Sequence, residues 1–333
     1  TLVSEVTAPI PSGTVDNVVS IQGESLRVLA NRADVLWQRA VKILIARDNH
    51  FPAVHLSYWD SYGNKPQPSA PNGWSGPRFK TVERSVLNSL SDASKVAAKM
   101  SELGFAHRIP KTYASVQDAL NEQPKADDLW FIRSQFRGAN DKTLCLPTTI
   151  MAEATVPSGH LLQKAVDGLA LIDQHKFTAR FYILAVDGHL MCYEDSVVFI
   201  HGAAYAPNVA NHASQVDNRS YRDVGSHIRL VPSSHTPHAA TLIEATTALT
   251  SDMAGLLEDV RQASFAEVSE ASAFALLALD TLLTRSGELK LLRIHTFPNF
   301  ITTAQIDADV HVPLFEDVLR VMAGVPSRKL ATI

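Results

Sequence analysis

A chain of 333 residues is long enough for two or three packed units of about 100–200 residues each. Its 46% hydrophobic and 19% charged residues exclude a disordered chain, and a net charge of −4 excludes general nucleic-acid binding while leaving room for local phosphate-binding clusters. Only two cysteines, Cys145 and Cys192, are present, which excludes a disulfide-stapled secreted scaffold.

No apolar run approaches the roughly 18 residues of a membrane helix, so no membrane is expected. The first residues lack the basic-then-apolar order of a signal peptide. A cytoplasmic or other reducing intracellular compartment is the expectation.

In chain order, residues 1–23 hold prolines, serines and alternating valines and read as a lead-in with one strand. Residues 25–45 place Leu26, Leu29, Ala33, Leu36, Trp37, Ala40, Val41 and Leu44 at helical spacing and predict an amphipathic helix, with 41–46 also readable as a strand. Asn49, His50, Phe51 and Pro52 end it, and 57–77, rich in Pro, Gly, Asn, Ser and aromatics, predicts a long surface loop or linker. Arg78, Phe79 and Lys80 open the next unit. The stretch 90–104 predicts a helix capped by Ser91 or Asp92, with Val96, Met100 and Leu103 on its apolar face and Gly104 at its end. A proline-containing crossing, 105–113, leads to a second helix over 115–122 and a short buried strand over 129–132. The polar stretch 133–142 follows, with Arg133, Arg137, Gly138 and Lys142.

The stretch 159–200 is the most informative. An apolar run, 160–162, ends in Gln163 and Lys164, and Lys176, Phe177, Thr178, Ala179 and Arg180 feed a β-rich run, 181–186. Asp187-Gly188 predicts a hairpin, and 190–193 and 197–200 supply two more strands. Beyond it, 201–238 is long and polar, with His201, His212, His227, His235 and His238 lacking a tight metal spacing; they read as solvated residues rather than zinc ligands. Residues 242–261 predict a helix, 274–283 an apolar strand, 285–288 a turn, 289–294 its returning partner, and 312–322 a closing helix. There is no internal repeat. A β-rich core with flanking helices indicates α+β or mixed α/β architecture.

Three constellations carry chemistry. Arg133, Arg137-Gly138 and Lys142 follow a strand as a phosphate clamp would, and equally as a solvated loop would. Lys164, Lys176 and Arg180 stand at strand ends, where a lysine is also commonly a snorkelling surface residue. Asp280 interrupts a run so apolar that it must meet a cation or metal or end the buried part of the strand. The partner strand carries Arg293 and His295 at alternating positions, and the local reading is a buried Asp280–Arg293 ion pair. Cys145 and Cys192 read as packed small side chains rather than nucleophiles, and Trp37, Trp59 and Trp74 as core or loop anchors.

Taken together these pieces resemble the ATP-grasp fold and, within it, the tubulin–tyrosine ligase-like family, over roughly residues 78–300. Residues 90–104 are similar to that family's LTRKDLL-type helix, 129–142 to its WIVKP strand and phosphate loop, and 160–164 to its VVQKY strand. Residues 176–186 resemble KFDLRVYVLV, the most specific match, and 274–299 resemble the ending FELFGFDFLID…WLLEVNxxPSL. The resemblance implies a variable N-terminal region (1–77), a central ATP-grasp sub-domain (78–158) and a C-terminal one (159–333), with ATP held in a nucleotide cleft between antiparallel sheets.

By that resemblance Gln163, Lys164 and Ala165 meet the adenine, and Arg133, Arg137 and Gly138 meet the phosphates. Lys176 and Arg180 are the site cations and Asp280 is the first Mg²⁺ ligand, while Arg293, which takes the place of a family carboxylate, would stabilise transferred phosphate charge in a ligase reading. The family uses ATP to phosphorylate a carboxylate, and an amine of a protein or peptide acceptor, or of an amino acid, attacks the acyl phosphate. The chain departs from the pattern at Arg133 (for Lys), Thr178 (for Asp), Arg293 (for Glu) and His295 (for Asn). Replacing a carboxylate by a guanidinium removes a hard oxygen ligand from Mg²⁺ and puts a positive charge beside it, an exchange on the order of 4 kcal/mol per charge pair near 4 Å at an effective dielectric of about 20. Two expectations follow: a divergent ligase with a single metal at Asp280, or a pseudo-ligase acting as a nucleotide-binding or structural module for a protein partner.

Overall fold

The computed structural model describes residues 18–20, 26–48, 50–60, 74, 76–136, 143–216, 228–265 and 271–333. After the short strand β1 (Val18–Ser20), β2 (Leu26–Ala30) precedes helix α1 (Asp34–Arg47). The helix expected over 25–45 is therefore corrected: its first residues are strand. Their backbone pairs in parallel with β3 (Val54–Tyr58), and sheet pairing overrides the local helical spacing. Ala33, at φ 52, makes the break between strand and helix.

Next come β4 (Arg78–Thr81), α2 (Arg84–Leu87) and α3 (Ala93–Glu102). Asp92 caps α3 by accepting the N–H groups of Ser94 and Lys95, in the way its position before an apolar-periodic run implies. Then follow β5 (Thr112–Tyr113), α4 (Val116–Leu120), β6 (Leu129–Ser134), β7 (Leu144–Pro147), α5 (Thr148–Met151) and β8 (His160–Lys164). Strands β5-β8-β6-β7 form a four-stranded antiparallel sheet of their own.

The remaining strands are β9 (Phe177–Val186), β10 (His189–Tyr193), β11 (Val197–His201), β12 (Ile228–Pro232), β13 (Ser272–Leu283), β14 (Leu289–His295) and β15 (Leu330–Thr332). Between them lie α6 (His212–Gln215), α7 (Ala239–Asp252), α8 (Glu258–Ser264), α9 (Ala304–Ile306), a π-helical turn at Asp307–His311, and α10 (Val312–Met322). The single helix expected over 242–261 is two, because the chain turns at Gly255, where an added Cβ would lie 3.0 Å from Leu103. Asp187 and Gly188 both have positive φ, 49 and 74, the backbone of the tight hairpin their sequence predicts.

These strands join β1–β4 in an 11-stranded sheet ordered β1-β2-β3-β4-β13-β9-β10-β15, with β14 added on β13, β11 on β9 and β12 on β11. The pairs β2–β3, β3–β4 and β4–β13 are parallel, and the other pairs of this sheet are antiparallel. The fold is mixed α/β. Among the described residues, no helix is long and apolar enough to cross a membrane.

Strand β9 is buried along its whole length, because both faces of the large sheet are covered. Phe181, Ile183, Ala185, Leu277 and Leu279 pack with α3, α7 and α8. Tyr182, Leu184, Leu276 and Ala278 face α1 and α10, where Trp37 meets Phe315 edge-on with ring centroids 4.2 Å apart. Full burial of side chains of this size stabilises by about 1.5–3 kcal/mol each. A third core, Trp130, Ile132 and Leu162 with Met151 and Ala119, holds the small sheet on α4 and α5.

Beneath α10 a polar chain threads the first core. His311 Nε2 lies 2.9 Å from the Tyr182 hydroxyl, its Nδ1 lies 3.4 Å from Asp307, and Arg39 pairs with Asp307 at 2.8 Å. Burial lowers the His311 pKa, with Asp307 pulling it partly back. The unfolded chain takes up this proton at the ordinary 6.5 and the folded chain resists it, so the contribution is whole above pH 6.5 and is lost as pH falls from there toward the folded pKa. Urea midpoints should fall between pH 7.5 and 5.5, and His311→Gln should show a shallower fall; an unchanged slope in the variant would remove His311 as its source.

Candidate functional site between the two sheets

The functional candidates gather where the small sheet meets the ends of β9, β13 and β14. In β9 and β13 the face that carries Tyr182 and Ala278 inward carries Arg180 and Asp280 next, and these two residues are direct cross-strand partners. Arg180 Nε donates to Asp280 Oδ1 at 2.7 Å and Nη2 to Oδ2 at 2.9 Å, a two-pronged pair. Arg180 Nη1 donates to the Asn299 carbonyl at 3.0 Å, and its guanidinium lies 5.1 Å from the centre of the Phe199 ring. His295 Nε2 is 2.6 Å from Asp280 Oδ2 and 3.1 Å from Arg180 Nη2. One ring nitrogen cannot both donate to the carboxylate and accept from the guanidinium, and the shorter contact identifies Nε2–H as donor to Asp280.

Burial alone would push the Asp280 pKa up. The Arg180 and His295 charges and hydrogen bonds outweigh it and hold the carboxyl well below the usual carboxylate range.

This cluster corrects the expected Asp280–Arg293 pair. Arg293 is the register partner of Asp280 on β14, beside a bulge between Asp280 and Thr281. The carboxylate nevertheless goes to Arg180, because a guanidinium buried this deeply demands a counter-charge, whereas Arg293 is only half-buried and borders a cavity. Both Asp280 oxygens accept hydrogen bonds from Arg180 or His295, and the guanidinium beside them would repel a Mg²⁺ ion placed on the carboxylate. Among the described residues no group of three or more His, Cys, Asp or Glu is arranged to hold a metal.

The facing wall is the small sheet. Alternation along β6 sends Trp130 and Ile132 into the third core and turns Phe131 and Arg133 toward the large sheet. Arg133 Nη2 donates to the Leu292 carbonyl at 2.6 Å, fastening one sheet to the other. Lys176, just before β9, is buried; its Nζ donates to the Gln215 carbonyl at 2.8 Å and sits 5.1 Å from the centre of the Phe131 ring. Gln163 donates to Thr112 Oγ1 at 2.9 Å, and Lys164 pairs with Asp128 at 2.7 Å. The Ala165 N–H, which the resemblance places at a base edge, donates to the Leu129 carbonyl at 2.8 Å.

Between the walls lies a cavity of about 10 Å³, bordered by Ser91, Val96, Arg133, Gln163 and Arg293. That is room for about one water, whereas ligand pockets run from roughly 300 Å³ upward. Arg137, Gly138 and Lys142 lie outside the described residues.

Two participants escaped the sequence reading. His201, expected to be solvated, is buried, with Nε2 3.5 Å from Thr178 Oγ1 and Nδ1 3.0 Å from the Ser214 carbonyl. Gln215 supplies the carbonyl that holds Lys176. The usable signal was the unbroken apolar run before His201, since a strand buried on both faces buries its last residue too. His238 is also not solvated: it is half-buried, stacks on Phe177 at 5.5 Å, and has Nε2 2.9 Å from the Leu171 carbonyl. His212 and His235 lie in exposed positions, and His227 is outside the described residues. Burial pushes the Cys145 and Cys192 thiols up to about 11, only partly offset by Lys176 and Thr250 respectively, so both are protonated at neutral pH.

No protein-family model matches this chain, and no curated protein sequence matches it significantly.

Removing the charge of Asp280 leaves Arg180 buried without its counter-ion. Asp280→Asn is expected to cost about 3–5 kcal/mol in chemical denaturation. Replacing both residues by apolar ones of similar volume, Arg180→Met with Asp280→Leu, is expected to cost less than the two single changes summed. A cost for Asp280→Asn below about 1 kcal/mol would show that the pair does not constrain the fold.

Proposed function

We propose that this chain is an ATP-grasp-like protein of the tubulin–tyrosine ligase type in which the metal end of the cleft is an internal ion-pair cluster, and that it acts as a non-catalytic binding or structural module for a protein partner. The Arg180–Asp280–His295 cluster carries this reading. A carboxylate engaged by a two-pronged guanidinium and an imidazole could take Mg²⁺ only beside a buried positive charge that repels it. The state of the cleft supports it further. Lys164 is paired with Asp128, Lys176 is held by Gln215, and Arg133 is fastened to Leu292 beside a cavity of about 10 Å³. The fold part of the proposal is supported by two sheets facing one another with cations between them, in the chain order that the resemblance implies.

One observation favours a second reading, the divergent ligase that joins an amino acid to a protein or peptide through an acyl phosphate. Arg133 and Lys176 stand on opposite walls of the gap, where two cations suit a bound polyphosphate such as ATP once the walls part. In that reading Arg133, Lys176, Arg180 and Arg293 hold phosphate charge, and Gln163, Lys164 and Ala165 lie along the base.

Thermal-shift and calorimetric titration with ATP, with and without Mg²⁺, separates the two. The non-catalytic reading expects no Mg²⁺-dependent stabilisation and no ADP over a panel of amino acids and peptides. Mg²⁺-dependent ADP release with an acceptor would overturn it in favour of the ligase. The double change Arg293→Glu with His295→Asn, which restores the family's residues, should still create no Mg²⁺-dependent nucleotide affinity, because Arg180 keeps Asp280; a gain of such affinity would identify Arg293 and His295 together as the obstacle.

A further inference from the structure

A polar row on the face of the large sheet opposite α1 takes no part in the cluster between the sheets. In β2, β3 and β4 the residues Leu26, Val28, Leu56, Tyr58 and Phe79 enter the first core, so the alternating residues Arg27, His55 and Arg78 stand on the other face. Parallel register sets Arg27 beside His55 and His55 beside Arg78, one row across three strands. Neighbouring strands lie about 4.8 Å apart, so three side chains in register can converge on one small group. Lys80, two residues along β4 from Arg78, adds a further cation to the same face.

The row is incomplete in hydrogen-bonding terms. Among the described residues, Nε of Arg27 and both ring nitrogens of His55 are buried without a hydrogen-bond partner, and His55 as a residue is only 3% exposed. Arg78 donates Nη2 to the Trp74 carbonyl at 2.6 Å, and the Trp74 ring lies 5.7 Å from that of His55, forming an apolar border. Burial first, then the Arg27 and Arg78 charges, lower the His55 pKa to about 4, so the ring is neutral at pH 7 and offers one N–H. Buried polar groups without partners are rare in folded proteins and call for a cause. Cations aligned in a row repel one another and favour an anion between them.

We propose that the Arg27–His55–Arg78 row is a binding site for a phosphate group, either inorganic phosphate or a small phosphate monoester. Guanidinium forks match the oxygens of a tetrahedral oxyanion, and the His55 N–H supplies a central donor. A dianion is favoured over a carboxylate because two guanidinium groups and Lys80 converge on one face. The site is separate from the gap that holds Arg133 and Lys176, so it stands whether or not that gap admits a nucleotide.

The full chain is titrated with inorganic phosphate against chloride at equal ionic strength, following heat and the His55 ring-proton resonance. Saturable binding with a phosphate-specific His55 shift is expected. Arg27→Gln should weaken it about tenfold or more, the loss of one charge-assisted hydrogen bond, while Lys42→Gln, at an exposed position on α1, leaves it unchanged. Glycerol phosphate binding as well as inorganic phosphate assigns the site to monoesters, and markedly weaker glycerol phosphate binding assigns it to the free ion. Equal binding of acetate would overturn the phosphate assignment. No saturation beyond chloride, a His55 resonance that does not move, or binding unaffected by Arg27→Gln would each overturn the site. The ring-proton measurement on the unaltered chain decides the matter if Arg27→Gln fails to fold.

Discussion

The Arg180–Asp280 pair sets the terms for the rest of the structure. It lies between the two longest strands, β9 and β13, in the one register that places guanidinium and carboxylate opposite each other. A one-residue slip of either strand would turn its charged residue over to the apolar face packed under α3, α7 and α8 and part it from its partner, leaving two unpaired charges. Burying the pair is not a source of large net stability, because desolvation offsets much of the attraction. Its effect is selective: it penalises other registers and fixes where the apolar part of each strand ends.

The same pair links the fold to the cleft. On β9 and β13 the alternating face runs from Leu184 and Leu276 through Tyr182 and Ala278 to Arg180 and Asp280, from packed core to polar cluster. His295 reaches the cluster from β14 and Asn299 from the segment just beyond it. The polar end of the large sheet is therefore a product of strand register, and its groups are satisfied from three different parts of the chain. The small sheet is held in place through another backbone acceptor, the Leu292 carbonyl that receives Arg133.

Much of this was legible in the sequence, and the reasons differ by element. Strand β9 announces itself by a β-rich apolar run, and its hairpin with β10 by Asp187-Gly188, whose backbone only a few residue types adopt readily. Asp92 and Gly104 bracket α3 by local chemistry alone. The strand β2 was not legible, because Leu26, Leu29 and Ala33 fit a helix equally well and only the parallel partner β3 decides between them. At the site, Asp280 was recognisable as a charge that needs a partner, yet the local pattern pointed to Arg293 and not to Arg180. Choosing between them requires burial, which no local pattern supplies. Neighbourhood in a hairpin favoured Arg293, whereas a partner a hundred residues away in the chain and in register across β13 won.

A cleft lined by cations does not by itself imply a bound anion, and the two polar regions of this sheet show why. Around Arg180 the guanidinium is matched by both Asp280 oxygens, by the Asn299 carbonyl and by an aromatic ring, so this ion pair is served by protein groups. In the row on β2 and β3 the geometry is similarly regular, but the Arg27 Nε and both His55 nitrogens remain buried without partners among the described residues. The desolvation of a polar group is the same in both places; what differs is whether the chain supplies the return. Satisfaction, more than charge, distinguishes a structural cation from one placed for a ligand. By that criterion the internal cluster at Asp280 is structural and the row at His55 is where an external group would add most.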